Sequence, residues 1–205
     1  MEAHKSISER EFVIVNVGAN TSHAGLISPL WGDGTFCFMP IPEDGPSTDP
    51  SRDLFPGCPN LPTFSEFIKP HIAFCVQKKY LTKKVHDDPE FETFTYGDNP
   101  EGVARAKAAN LKNHLSQGDL LFFFAGLTST NKAKTIGNYR FYFIGFFEIS
   151  AILRKVSKMP SKDELMLFNQ NAHIKRGLAD PSFFNDFWLW KGSSNSQLFL
   201  EVRWI

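Results

Sequence analysis

The side chains best equipped for chemistry in this chain are a few histidines and acids set far apart along it: His23, Asp33, His114 and His173. His173 lies in Asn169-Gln170-Asn171-Ala172-His173-Ile174-Lys175-Arg176, where a continuous helix puts Asn169, His173 and Arg176 on one face at spacings of four and three. An imidazole beside a guanidinium suits an anion such as phosphate, because the guanidinium directs two N–H donors onto one group. His114 closes a helical stretch beside Asn110 and Asn113, and reads either as a proton carrier or as a cation facing the helix dipole. Asp33, between Gly32 and Gly34, reads as an acid catalyst or as a turn residue that bonds its own backbone. General acid–base work by His114, His173 or Asp33 is the chemistry these residue types allow, since an imidazole with an ordinary pKa of about 6.5 exchanges a proton near neutrality.

Ligand-binding candidates surround these. The segment from Asn16 to His23 crowds Asn16, Asn20, Ser22 and His23 beside Gly18 and Gly25, so side chains and backbone N–H groups could read a hydrogen-bonding ligand together. A wide turn whose Asn and Ser bond their own backbone is the simpler alternative. Tyr96 and Asp98, in Thr95-Tyr96-Gly97-Asp98, form a second polar group. Trp188 and Lys191, with Trp190 between them, offer a stacking ring beside a cation, as a base and its phosphate require. The same residues also fit a strand with two lined faces.

Several chemistries are excluded at this level. The chain has no Walker loop, no G-x-S-x-G, no H-E-x-x-H, and no H-x-E combined with P-C-x-x-C. Its three cysteines, Cys37, Cys58 and Cys75, form no C-x-x-C pair, so neither a metal set nor a disulfide framework is expected, and no cofactor is called for. Reduced cysteines point to the cytoplasm, and no apolar run nears the roughly 20 residues of a bilayer span. With 22 basic and 22 acidic residues the formal charge is zero, unlike a protein that coats nucleic acid through phosphate contacts.

The elements that must position these residues are legible in outline. Phe12 to Val17 reads as a buried strand, Asn20 to Trp31 as a loop and Thr35 to Ile41 as a second strand, followed by seven prolines between 40 and 62. Thr63 with Glu66, and Ser161 with Glu164, are capping boxes that open helices over Thr63–Lys69 and Ser161–Arg176. Glu101 to Leu115 is an amphipathic helix closed by Gly118. Asp119 to Leu127 and Tyr139 to Arg154 read as a core hairpin, and Phe199 to Ile205 as a terminal strand. Phenylalanine supplies 21 of the 205 residues, so the core should be built largely of rings, with Phe122–Phe124 and Phe141–Phe147 inside it. The fold class expected is α+β: residues 1–11 as a tail, and 12–205 as a single domain with a mixed or antiparallel sheet, or a barrel, flanked by a few helices.

Two segments taken together carry a family resemblance: Ser28-Pro29 with Gly32-Asp33-Gly34 and Pro40-Ile41-Pro42-Glu43, and His114-Leu115 followed by Gly118-Asp119-Leu120-Leu121-Phe122-Phe123-Phe124. With Asp88-Pro89 to Tyr96-Gly97-Asp98, Tyr142-Phe143-Ile144-Gly145, and Asn171-Ala172-His173 through Trp188-Leu189-Trp190-Lys191-Gly192, the chain resembles the third type of nucleotide-modification-associated domain. The likeness spans about residues 12 to 203. It implies a prokaryotic or viral cytoplasmic protein linked to modified bases in DNA. Where members of the family carry a Lys-Gly-Phe-Asp-Ser type of segment, this chain has Val17-Gly18-Ala19-Asn20-Thr21, without the lysine and the acid. The phenylalanine-rich hairpin is also similar to that of PUA-like domains, including EVE and ASCH modules, which hold a flipped base in an aromatic pocket.

Three functions follow as expectations. The first is a protein that recognises or processes a modified nucleotide or base, with group transfer or hydrolysis as the reaction class if it is an enzyme. The second is a non-catalytic PUA-like reader that stacks a modified base on Trp188 or Trp190. The third is a structural partner of modification or restriction proteins. The partners expected are a nucleotide, a modified DNA base or DNA itself, and no membrane.

Overall fold

Runs of β-branched and aromatic residues become strands in this protein, and capped polar stretches become short helices. The computed structural model describes residues 9–19, 23–43, 61–99, 105–131 and 134–204. In chain order the elements are β1 (Phe12–Val17), β2 (Pro29–Leu30), β3 (Ile41–Pro42), α1 (Phe64–Phe67), β4 (Val85–His86), β5 (Thr95–Asp98), α2 (Arg105–His114), β6 (Leu120–Asn131), β7 (Lys134–Val156), α3 (Lys162–Phe168), α4 (Ala172–Ala179), β8 (Phe187–Gly192) and β9 (Gln197–Trp204). Seven strands form one sheet in the order β1-β6-β7-β8-β5, with β2 beside β6 and β9 beside β7. The β2–β6 pair is parallel and the β5–β8 and β7–β8 pairs are antiparallel, so the sheet is mixed. It is open, and the barrel alternative is not formed. The α+β class stands.

The chain divides into two compact units: residues 1–16, 88–124 and 145–198 form one, and 17–87, 125–144 and 199–205 the other. In the first unit, Phe91, Phe123 and Phe147 meet edge to face at 4.6 to 5.5 Å between centroids. Offsetting ring edges against faces is the arrangement their quadrupoles favour. Tyr96 extends the group, 5.4 Å from Phe123 and 6.1 Å from Trp190. On another side, α3 and α4 place Phe168 and Ile174 against Phe184, Phe187 and Leu189. Near the start of this unit, Glu11 N–H donates to Asp119 at 2.9 Å and Arg10 pairs with Glu148 at 3.1 Å.

The second unit is centred on Ala19, Leu26, Met39, Phe64, Ile72, Cys75, Val76 and Val85. Gly18 enters it at a φ of 77°, a conformation in which a side chain is strained and would meet Phe38 and Met39 O. Cys75 is sealed in this core, and burial pushes its thiol up to about 12.

Three expected elements differ. The run Thr35–Ile41 pairs only at isolated positions, Phe36 with Leu30 and Thr35 with Glu201, before the two-residue strand at Ile41–Pro42. Pro40 and Pro42 lack the N–H groups that a continuous ladder needs. The helix expected over Ser161–Arg176 is two helices, because Asn171 breaks it and restarts the chain as the N-cap of α4, accepting from His173 N–H at 3.0 Å. Asn169 therefore belongs to the end of α3, while His173 and Arg176 share α4. The strand Thr95–Asp98, read in the sequence only as a polar segment, pairs with β8. Both capping boxes are formed. Most of the proline-rich stretch, and residues 101–104 of the expected amphipathic helix, lie outside the described residues.

Candidate functional site

Asp88 is the organising charge of the first unit. Its side chain is 3% exposed, and both carboxylate oxygens lie 3.0 Å from the Gly97 N–H at the middle of β5. Asn171 Nδ2 approaches Asp88 Oδ1 and Thr95 Oγ1 at 3.4 Å each, joining the start of α4 to β5. His173 Nε2 lies 3.4 Å from Asp88 Oδ2, and its ring packs 5.1 Å from that of Phe187. The carboxylate near one ring nitrogen and the aromatic ring beside the imidazole orient the side chain, as carboxylates commonly orient histidines that bind ions or transfer protons.

The residue opposite is glycine for a steric reason. A Cβ on Gly97 would overlap His173 Cδ2 and stand 3.0 Å from Leu189 Cδ2. Gly97→Ala should therefore push the imidazole from Asp88 and destabilise the protein by about 1–3 kcal/mol, the usual range for overpacking. Urea denaturation checks the stability, and the His173 ring resonances in an NMR spectrum check the displacement. An unmoved ring would mean that Gly97 is not what brings strand and imidazole together.

One turn further along α4, Arg176 lays its guanidinium 4.4 Å from the Phe183 ring centroid. His173, Arg176, Phe183, Asn99 and Asn185 together line a cavity of about 140 Å³. Ligand pockets for whole drug-sized molecules run from about 300 Å³ upwards, so this volume suits a group of a few heavy atoms, such as a phosphate. Asn99 Nδ2 donates to Asn185 O at 3.0 Å, tying the two amide walls together. Asn99 N–H in turn donates to Asp98 Oδ1 at 2.8 Å. Asp98 Oδ2 is held by Lys107 Nζ and by the Tyr96 hydroxyl, each at 3.0 Å. Burial, then the Asp98 and Asp88 charges, push the Tyr96 phenol well above its ordinary value. Tyr96 is thus a fixed donor to Asp98 and no base.

Among the described residues, His173 and Arg176 are the two sequence candidates that line this cavity. Tyr96 and Asp98 stand behind its Asn99 wall. Trp188 is 7% exposed, stacked 6.1 Å from Trp190, with Lys112 at 5.6 Å and Arg154 at 5.5 Å from its ring. The Lys191 ammonium is held by the Thr93 carbonyl, and burial draws its pKa down. His114 is exposed and lies 3.5 Å from Glu11. Asn16 is exposed on β1, and Asn20 and Ser22 lie outside the described residues. In the second unit, burial lowers the pKa of His23. There too Asp33 accepts from the hydroxyl and N–H of Thr35 at 2.6 and 3.0 Å, and these bonds hold its carboxyl below the ordinary value.

Sequence reasoning passed over Asn99, Asn171, Phe183 and Asn185 as site residues, and named Asp88 only within a segment that carries the family resemblance. Asn171 had a local signal, an Asn before a helical stretch, and the others become neighbours only through pairing of β5 with β8 and packing of α4. The second unit holds a further pair that sequence spacing conceals: His86 Nδ1 and Glu43 Oε2 are 2.6 Å apart and almost wholly buried. Antiparallel pairing of β3 with β4 sets Ile41 opposite His86, which brings together side chains 43 positions apart.

The family model for nucleotide modification associated domain 3 matches residues 11–202. The chain belongs to that family. As a nucleotide modification associated domain, it has a general role in nucleotide modification, and the matched span includes Asp88, Gly97, Asn171, His173 and Arg176. No curated protein and no solved structure matches the chain. Among the described residues, no helix is long and apolar enough to cross a membrane.

Proposed function

We propose that this nucleotide modification associated domain binds a nucleotide bearing a modified base, and that the cavity between His173 and Arg176 receives its phosphate. The observation that carries this reading is a fixed imidazole and a fixed guanidinium lining one small cavity, each steadied by an aromatic ring. A guanidinium matches phosphate geometry through two parallel N–H donors, and Asn99 and Asn185 supply amide groups at the same cavity. His173 is also the side chain best placed to carry a proton in a transfer or hydrolysis step, because Asp88 fixes its ring. His114 and Asp33 take no part in this reading, the one facing Glu11 and the other bonded to its own turn.

A reader that stacks its base on Trp188 or Trp190 is less well supported, since these rings are 7% and 0% exposed and lie against each other. The test is titration calorimetry with a panel of unmodified and modified mononucleotides. His173→Ala and Arg176→Ala should each weaken binding by about 1–3 kcal/mol, the range for charged hydrogen bonds. Unchanged affinity in both proteins would take the phosphate out of this cavity.

A further inference from the structure

A second cavity, of about 170 Å³, opens where β7 runs into α3 and is lined by Leu153 to Pro160 with Glu164. Its lining includes three basic residues, Arg154, Lys155 and Lys158, and all three are exposed. The carboxylate in its lining, Glu164, accepts from Ser161 N–H at 2.7 Å in the α3 capping box. For a chain with 22 basic and 22 acidic residues, this is a local segregation of charge.

The backbone is bent to achieve it. Consecutive residues of a regular strand point to opposite faces, so Arg154 and Lys155 should diverge. Here the register of β7 against β8 shifts between Leu153 and Val156, and Lys155 adopts a φ of 51°. A long side chain in the left-handed region is strained, and bulges of this kind re-aim side chains near working sites. Both residues are in the lining of one cavity. Arg154 also lies over Trp188, whose ring is approached by Lys112 as well, so the positive surface continues from the cavity toward α2.

We infer that this cleft is a polynucleotide-backbone site: Arg154, Lys155 and Lys158, with Lys112 beside them, hold the phosphodiesters of a nucleic-acid strand. No residue lines both this cleft and the His173 cavity. The inference rests on the nucleotide reading for the class of ligand and extends it from a single nucleotide to a polymer. Contacts of this type are ionic, add up along the strand and carry no base specificity.

The experiment compares wild-type protein with the Arg154→Gln/Lys155→Gln/Lys158→Gln variant in binding a fluorescein-labelled single-stranded oligodeoxynucleotide across a salt series, with circular dichroism as a fold check. The variant should bind the oligonucleotide at least tenfold more weakly, with a log–log salt slope shallower by about 2, as expected for two to three lost phosphate contacts. Its affinity for a mononucleotide should not change. Lys155→Gly should raise Tm by releasing the strained φ while weakening oligonucleotide binding, which separates a site residue from a structural one. Equal affinity and equal salt slope in wild type and triple variant would overturn the inference. So would tighter binding to vesicles of phosphatidylserine and phosphatidylcholine than to the oligonucleotide. The two readings fail separately: mononucleotide binding without stronger polymer binding ends this inference alone. Polymer binding that depends on the three cations, without mononucleotide binding, ends the His173 cavity reading alone.

Discussion

Asp88→Ala should destabilise the protein by about 3 kcal/mol and weaken the nucleotide binding proposed for the His173 cavity. The carboxylate is buried and accepts from the Gly97 N–H with both oxygens, while Asn171 and His173 approach it from α4. Truncation leaves the Gly97 N–H without an acceptor where water does not reach it, which by itself costs about 1–3 kcal/mol. Loss of the carboxylate opposite the imidazole adds to this, because the half-buried ring loses the group that orients it. Asp88→Asn keeps the volume and one carbonyl acceptor, and replaces the charge and the second acceptor by an NH2 donor. It should cost less stability than Asp88→Ala, yet still loosen the His173 ring. Guanidinium denaturation of both variants, with hydrogen exchange at the Gly97 amide, measures the two contributions. An Asp88→Ala protein within about 0.5 kcal/mol of wild type, inside the range of ordinary surface substitutions, would show that Asp88 does not organise this site.

The second large effect belongs to Trp190. The side chain is fully buried, opposite Tyr96 on β5 and Ile152 on β7, and packs against the rings of Tyr96 and Trp188. Trp190→Ala should destabilise the protein by about 3–5 kcal/mol, the range for removing a large aromatic residue from a core. The indole N–H of Trp190 has no acceptor among the described residues. Trp190→Phe therefore discards a buried donor that makes no bond, and should cost clearly less than the lost ring volume alone would suggest. Urea denaturation followed by far-ultraviolet circular dichroism is the appropriate measurement, since fluorescence would lose one of its own probes. A phenylalanine variant as unstable as the alanine variant would mean that shape at this position outweighs polar satisfaction.

Local features carried over best from sequence to structure. Thr63 with Glu66 and Ser161 with Glu164 both form the reciprocal bonds that their spacing promised, because a capping box involves only four consecutive residues. β1 spans Phe12–Val17 as expected but is buried only at alternate positions, with Phe12 66% and Ile14 45% exposed, and of the phenylalanine runs Phe123 and Phe147 are buried in the core while Phe141 is 44% exposed. The single helix over Ser161–Arg176 did not form, because Asn171 finds better partners than helical continuity offers. Its side chain caps His173 and reaches Asp88 and Thr95, which are 83 and 76 positions away.

The order of residues by itself determined the α+β class, the aromatic core, the helix starts and the family, all properties that depend on nearest neighbours or on composition. It also placed His173 and Arg176 on one helical face, since three positions is almost one turn. Only the tertiary structure decided that Asp88 would hold His173, that Asn99 and Asn185 would wall the same cavity, and that Arg154 and Lys155, at a register shift in β7, would line a second cleft. These groups meet because strand pairing and side-chain packing bring distant segments within hydrogen-bond range, and a buried carboxylate persists only where such segments supply its donors.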